Sequence, residues 1–305
     1  MRNHFLLSLA LLSLPFAAQA DELWVGSYFG DNVQRFDITS GASLGTVGTG
    51  KLDGTLGMTI GTDGSIYICS ELTGSIEKFN GAGGWLGRFA TANTPTGITF
   101  DSTGKAYVAQ FDTDSVTKYS ATGTLLGTFV TGGSGGLNGP DLGATFGPDG
   151  NLYVPSFYSG DVLRYNGTTG AFMDKFIAAG SGGMSQPRQI LWRDGKVYVT
   201  SDNGNSVLRY NASTGAFIDT FVTSGSGTLF GATGMVFAGD SLYIASSRNN
   251  RVLKYSANTG AFQSSFATTG LNGPVSLLVV PEPTSLLALG GGLLLLARQR
   301  KNMKR

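Results

Sequence analysis

The chain repeats itself. Residues 196–221, KVYVTSDNGNSVLRYNASTGAFIDTF, recur as near-copies at 152–176 and 242–266, and weaker copies begin at Trp24, Tyr67 and Tyr107. The anchor aromatics Trp24, Tyr67, Tyr107, Tyr153, Tyr198 and Tyr243 stand 43, 40, 46, 45 and 45 residues apart. A period of that size belongs to repeat architectures, in which each unit buries its apolar faces against its neighbours.

Each unit reads as four short strands. In the third, TGITF (96–100), KAYVAQ (105–110), SVTKY (115–119) and LLGTF (125–129) are separated by polar turns rich in Asp, Asn and Gly. Apolar residues at helical spacing appear nowhere between the two ends of the chain. Glycine, at 47 of 305 residues, falls at recurring turn positions. Two regularities accompany the strands. The fourth carries apolar pairs four residues apart, Trp85/Phe89, Leu125/Phe129, Phe172/Phe176, Phe217/Phe221 and Phe262/Phe266. Strand alternation puts each pair on one face, packed between neighbouring sheets. The third strand places a basic residue before an aromatic in all six units, from Arg35-Phe36 to Lys254-Tyr255. A feature present in every unit serves the unit, so these cations are expected to lay their stems along neighbouring sheets rather than to build an anion site.

The ends of the array predict how it closes. The first unit opens with ELWVGS (22–27), which matches the second strand of the others, while GPVSLLVV (273–280) supplies the missing first strand. SLLVV (276–280) should therefore pair with LWVGS (23–27). The result is an all-β fold, a six-bladed β-propeller of four-stranded antiparallel blades over residues 21–280, closed by its N- and C-terminal strands. The runs Asp149-Gly150-Asn151-Leu152-Tyr153-Val154 and Asp194-Gly195-Lys196-Val197-Tyr198-Val199 resemble NHL-type and TolB-like six-bladed propellers, and Asn249-Asn250-Arg251-Val252 is similar to a turn of that family. The resemblance implies the fold and leaves the function open, because propellers host many functions.

Residues 1–20 read as a secretory signal peptide: Arg2, an apolar run from Phe5 to Ala18, and a small-x-small site ending at Ala20, with cleavage before Asp21. At the other end, Pro281-Glu282-Pro283 precedes an apolar run and the basic residues Arg298, Arg300, Lys301, Lys304 and Arg305. Residues 284–297 would reach only about 21 Å as a helix, a marginal membrane span with its basic tail on the cytoplasmic side. Residues 281–305 resemble the PEP-CTERM sorting signal. That resemblance implies export through the inner membrane of a Gram-negative bacterium, transient anchoring by 284–297, and processing by an exosortase, leaving the body at the cell surface or outside the cell. Proteins with this signal commonly accompany exopolysaccharide and biofilm formation.

Of the 21 basic residues, Arg2 and the five in the tail lie outside residues 21–282, which leaves 15 against 20 acidic residues and a net charge of −5. A mildly acidic body without a basic cluster argues against nucleic acid. Cys69 stands alone inside the apolar run IYICS, so no internal disulfide is available, and a buried structural thiol is expected.

Connections between strands 2 and 3, and those between blades, are the longer and more variable ones and share one face. A ligand site belongs there, around the mouth of the central channel. The candidate binding residues are Tyr28, Phe29, Phe111, Asp112, Phe157, Tyr158, Arg188, Asp202 and Arg248. Flat rings beside carboxylates and amides suit carbohydrate or peptide contact. Arg188 is singled out because other units place Gly, Asp or Val near that point. Catalysis has little to work with. The only histidine is His4, so no imidazole base or Ser-His-Asp triad is expected, and with one cysteine no His/Cys zinc site. The expected protein is a non-catalytic binding or structural propeller with no cofactor and no metal. Its partners are an exosortase and extracellular polysaccharide or an envelope protein. A divalent-metal-dependent hydrolase or lactonase is the alternative, and clustered carboxylates at the channel mouth would mark it.

Overall fold

The computed structural model describes residues 21–281. They form six four-stranded antiparallel sheets arranged in a ring, with five short 3-10 turns and no α-helix among the described residues. The signal peptide and the segment 282–305, including Glu282, Pro283 and the apolar run 284–297, lie outside the described residues. No helix among those described is long and apolar enough to cross a membrane.

Blade 1 orders its strands from the channel outward as Pro274–Val280, Glu22–Ser27, Asn32–Asp37 and Ser43–Val47. The C-terminal strand thus completes the N-terminal blade. Leu23 faces Val279, Val25 faces Leu277 and Gly26 faces Ser276, the pairing read from the sequence. In blades 2 to 6 the innermost strands are Thr55–Ile60, Pro95–Phe100, Thr145–Phe146, Pro187–Arg193 and Ala232–Ala238, each followed outward by the next three in chain order.

The anchor aromatics explain why the blades stack. Tyr67, Tyr107, Tyr153 and Tyr198 each sit between a fourth-strand phenylalanine of their own blade and an aromatic on the first strand of the next. Tyr107, for example, lies 4.7 Å from Phe129 and 4.9 Å from Phe146, both edge-on. Edge-to-face pairs of this kind add about 0.5–1.5 kcal/mol each beyond the area they bury. The six cations of strand 3 belong to the same device. Each is the cross-strand partner of an anchor aromatic, as Trp24 is to Arg35 and Tyr243 to Lys254. Arg35, Lys78, Arg164 and Arg209 also pair with carboxylates of their own blades, while Lys118 and Lys254 lie over tyrosine rings.

The apolar pairs of strand 4 behave differently from the expectation. Phe172 packs against Tyr165 and against Gly135 in the loop leaving the preceding blade, whereas Phe176 packs against Tyr153 and against Trp192 of the following blade. The two members therefore face opposite sides. The cause is a pair of register shifts in the pairing of this strand with strand 3, opposite Val162/Leu163 and opposite Arg164/Tyr165, each of which breaks simple alternation. The first members of the pairs remain partly exposed, at 46% for Trp85 and 59% for Leu125.

Neighbouring blades are also joined at the face that carries the long loops. Asp31, Asp114, Asn205 and Asn250 adopt left-handed backbone angles at the end of the strand 2–3 connection. Their side-chain oxygens accept the amides of Gly54, Gly139, Gly231 and Gly273 in the next blade's approach to the channel. Asp and Asn tolerate this backbone conformation better than other non-glycine residues, which suits them to the task. Cys69 is fully buried, and burial pushes its thiol well above the usual range.

Candidate functional site

The loop face holds a cavity of about 420 Å³ over the channel, built in two tiers. The lower tier comes from one position in each innermost strand or its approach: Leu56, Thr96, Asp141, Arg188, Thr233 and Val275. Blade-to-blade hydrogen bonds fix it, with Thr96 Oγ1 donating to the Pro140 carbonyl at 2.8 Å and Thr233 Oγ1 to that of Pro274 at 3.2 Å. Immediately below, a Cβ on Gly57 would come within 2.6 Å of the Thr96 carbonyl oxygen, so only glycine permits this approach of two inner strands. The upper tier is the first residue of each strand 2–3 connection: Tyr28, Glu71, Phe111, Phe157, Asp202 and Ser247. Phe29 and Arg248 add second residues from blades 1 and 6.

Seven of the nine residues singled out from the sequence line this cavity: Tyr28, Phe29, Phe111, Phe157, Arg188, Asp202 and Arg248. Asp112 and Tyr158 do not. Both are exposed on the rim, where the Tyr158 ring lies 5.4 Å from Phe111 and 5.1 Å from Phe157. Sequence reasoning passed over Glu71 and Asp141, and the small lower-tier residues. The signal was present in the register of the repeats. Glu71 follows the serine that ends strand 2, as Phe157 and Asp202 do, and Asp141 follows a proline as Arg188 does.

The cavity has two chemically distinct halves. Blades 4 to 6 contribute a charged chain. Arg188 donates through Nε to Asp202 at 2.6 Å and through Nη1 to Asp141 at 2.9 Å, and Arg248 lies 2.9 Å from the other Asp202 oxygen. That last contact is a close ion pair outside hydrogen-bonding alignment. Burial opposes the charge on Arg188, but Asp141 and Asp202 outweigh it and raise its pKa. Burial pushes the Asp141 carboxyl up, and Arg188 counters it. The Arg188 guanidinium also sits 4.6 Å from the centre of the Phe157 ring of blade 4, and that ring lies 6.1 Å from Phe111 of blade 3, which ties the charged half to the aromatic one.

Blades 1 to 3 contribute Tyr28, Phe29, Glu71 and Phe111. The Tyr28 hydroxyl donates to Glu71 Oε2 at 2.6 Å. Burial raises the Glu71 carboxyl, the Tyr28 hydrogen bond lowers it, and the nearby charges of Asp141 and Asp112 raise it further. Among the described residues Glu71 forms no ion pair, and no group of three or more His, Cys, Asp or Glu side chains is placed to hold a metal ion.

No curated protein matches the sequence. Solved structures do resemble it. A protein of unknown function from Bacteroides caccae aligns over 86% of this chain and 100% of its own, with a TM-score of 0.70 at 13% identity. A structure of a nidogen/laminin complex aligns over 86% and 98%, with a TM-score of 0.71 at 14% identity. A catalytically inactive histidine-to-alanine variant of virginiamycin B lyase from Staphylococcus aureus, solved with quinupristin, aligns over 88% and 94%, with a TM-score of 0.59 at 14% identity. At such identities the likeness concerns the fold alone. The family model of the PEP-CTERM protein-sorting motif matches residues 279–301, and this motif implies an exported protein, anchored transiently through its C-terminus and processed by an exosortase. The chain is a six-bladed β-propeller that carries a PEP-CTERM sorting motif at its C-terminus.

Proposed function

We propose that this protein is a non-catalytic binding propeller of the cell envelope, which holds extracellular polysaccharide through the cavity over its channel. The observation that carries the reading is the composition of the cavity wall. Tyr28, Phe29, Phe111 and Phe157 present rings beside Glu71 and the Arg188 network, and Tyr158 extends the aromatic surface onto the rim. Rings stack on the apolar faces of sugars, while the charged groups meet hydroxyls. The export implied by the sorting motif delivers this surface to where such polymers are found.

Two features weigh against the alternative of a metal-dependent hydrolase or lactonase. Asp141 and Asp202 are occupied by arginines, which leaves them poor ligands for a cation. The carboxylates are also divided between the two halves of the cavity rather than gathered. Lyase chemistry that depends on a histidine, as the inactive variant of virginiamycin B lyase indicates for that enzyme, has no counterpart here, because the single histidine is His4.

The test is co-sedimentation of the purified protein with the producer's own extracellular polysaccharide. Phe157→Ala with Tyr158→Ala should weaken retention about tenfold, since loss of ~1.4 kcal/mol of aromatic contact corresponds to that factor. Thr168→Ala with Thr169→Ala, in the turn between strands 3 and 4 of blade 4, should leave retention intact. Equal retention of wild type and the aromatic variant would remove these rings from the site.

A further inference from the structure

The cavity wall is not electrically neutral. Its carboxylates are Glu71, Asp141 and Asp202, and its cations are Arg188 and Arg248, which leaves one negative charge in excess. The excess is localised. Asp141 and Asp202 are held by the arginines of blades 4 to 6, whereas Glu71 stands among the rings of blades 1 to 3. Tyr28 fixes it from one side by donating to Oε2, and no described group donates to Oε1. Asp112, exposed on the rim, adds to the negative potential at Glu71, as the buried Asp141 does from below, and Arg188 across the cavity offsets part of it without forming an ion pair with Glu71.

A carboxylate set beside aromatic faces is a receptor for an organic cation. The carboxylate takes charge-assisted N–H bonds, and the rings attract the same cation through their quadrupoles. We infer that the cavity recognises a protonated amino sugar, with the ammonium group on Glu71 and the sugar ring against Phe111 and Tyr28. This rests on the polysaccharide reading above and narrows it: the feature selected would be a free amine within the polymer rather than sugar rings in general. An N-acetylated unit would lose both the charge and two of its three N–H donors at Glu71.

Calorimetric titration of the purified protein with an oligosaccharide of glucosamine, its fully N-acetylated counterpart and a glucose oligosaccharide of equal length tests the inference. The glucosamine oligosaccharide should bind at least about tenfold more tightly than either of the others, as one desolvated charge–carboxylate contact of ~1.4 kcal/mol would require. Glu71→Gln keeps an acceptor for the Tyr28 hydroxyl and should abolish that preference while leaving the circular dichroism spectrum unchanged. Equal affinity for the acetylated and free forms, or a preference that survives Glu71→Gln, would overturn the amino-sugar assignment and leave the polysaccharide reading intact. Tighter binding of a lysine-rich peptide than of the glucosamine oligosaccharide would assign the cavity to a protein partner. Absence of binding by all three oligosaccharides, together with no retention on the producer's polysaccharide, would overturn both.

Discussion

The Tyr28 hydroxyl and the Glu71 carboxylate meet at 2.6 Å across the boundary between blades 1 and 2. The contact joins the blade that closes the ring to its neighbour, at the edge of the cavity. It also holds a carboxylate where burial and nearby acidic groups disfavour its charge.

That placement predicts a pH-dependent stability difference. The folded-state pKa of Glu71 is raised above its usual 4.5, chiefly by burial. Its contribution to stability is therefore fully present below the unfolded value and is lost as pH rises through the folded one. Glu71→Gln resembles the protonated side chain at every pH. Its melting temperature should exceed that of wild type at pH 7, and the difference should vanish below about pH 4. Thermal melts across this range check the sign. A variant less stable than wild type at neutral pH would show that the Tyr28 bond outweighs the desolvation of the carboxylate.

Arg188 is the hub of the charged half. Arg188→Met would leave Asp141 and Asp202, at 1% and 4% side-chain exposure, without their principal counter-charge. Breaking one side of a buried pair costs about 3–5 kcal/mol, so denaturant midpoints should fall sharply. Adding Asp141→Asn and Asp202→Asn should recover most of that loss, because the stranded charges go with them. If the triple variant were no more stable than Arg188→Met, the destabilisation would come from lost packing against Phe157 instead.

Ring closure makes a further prediction. Residues 274–280 form the innermost strand of blade 1 and bury Val275, Leu277 and Val280. Deleting them exposes the Glu22–Ser27 edge and removes the wall between blades 6 and 2. The shortened protein should lose stability as a whole, with one cooperative transition at a much lower melting temperature. An unchanged midpoint would mean that the ring does not depend on this strand.

The fold was largely legible from sequence because every blade states it again. The repeated anchor aromatics and the first strand displaced to residues 274–280 fixed both the blade count and the closure. Strand 4 was not legible in detail. Two register shifts in the pairing of this strand in blades 2 to 6, and one in blade 1, break the period of two, and nothing in Phe172 or Phe176 as residues signals that they point to opposite blades. The site was legible where a residue departs from its repeat, as Arg188 and the aromatics of the strand 2–3 connections do. Asp141 was obscured by the extra Leu142 before Gly143, which displaces the glycine that follows Leu56 and Thr96 directly in blades 2 and 3. Glu71 is ordinary in its own loop. Its meaning comes from Tyr28, which lies 43 residues away in sequence.

The central claim is that the cavity over the channel, rather than the face of tight turns, is where this propeller holds its ligand. The most direct measurement is an NMR titration of the isotope-labelled protein with soluble fragments of the producer's extracellular polysaccharide. Shift changes should centre on Glu71, Phe111, Phe157 and Arg188, with the turns at 166–171 and 211–216 unaffected. Changes concentrated on those turns, or none at saturating fragment, would contradict it.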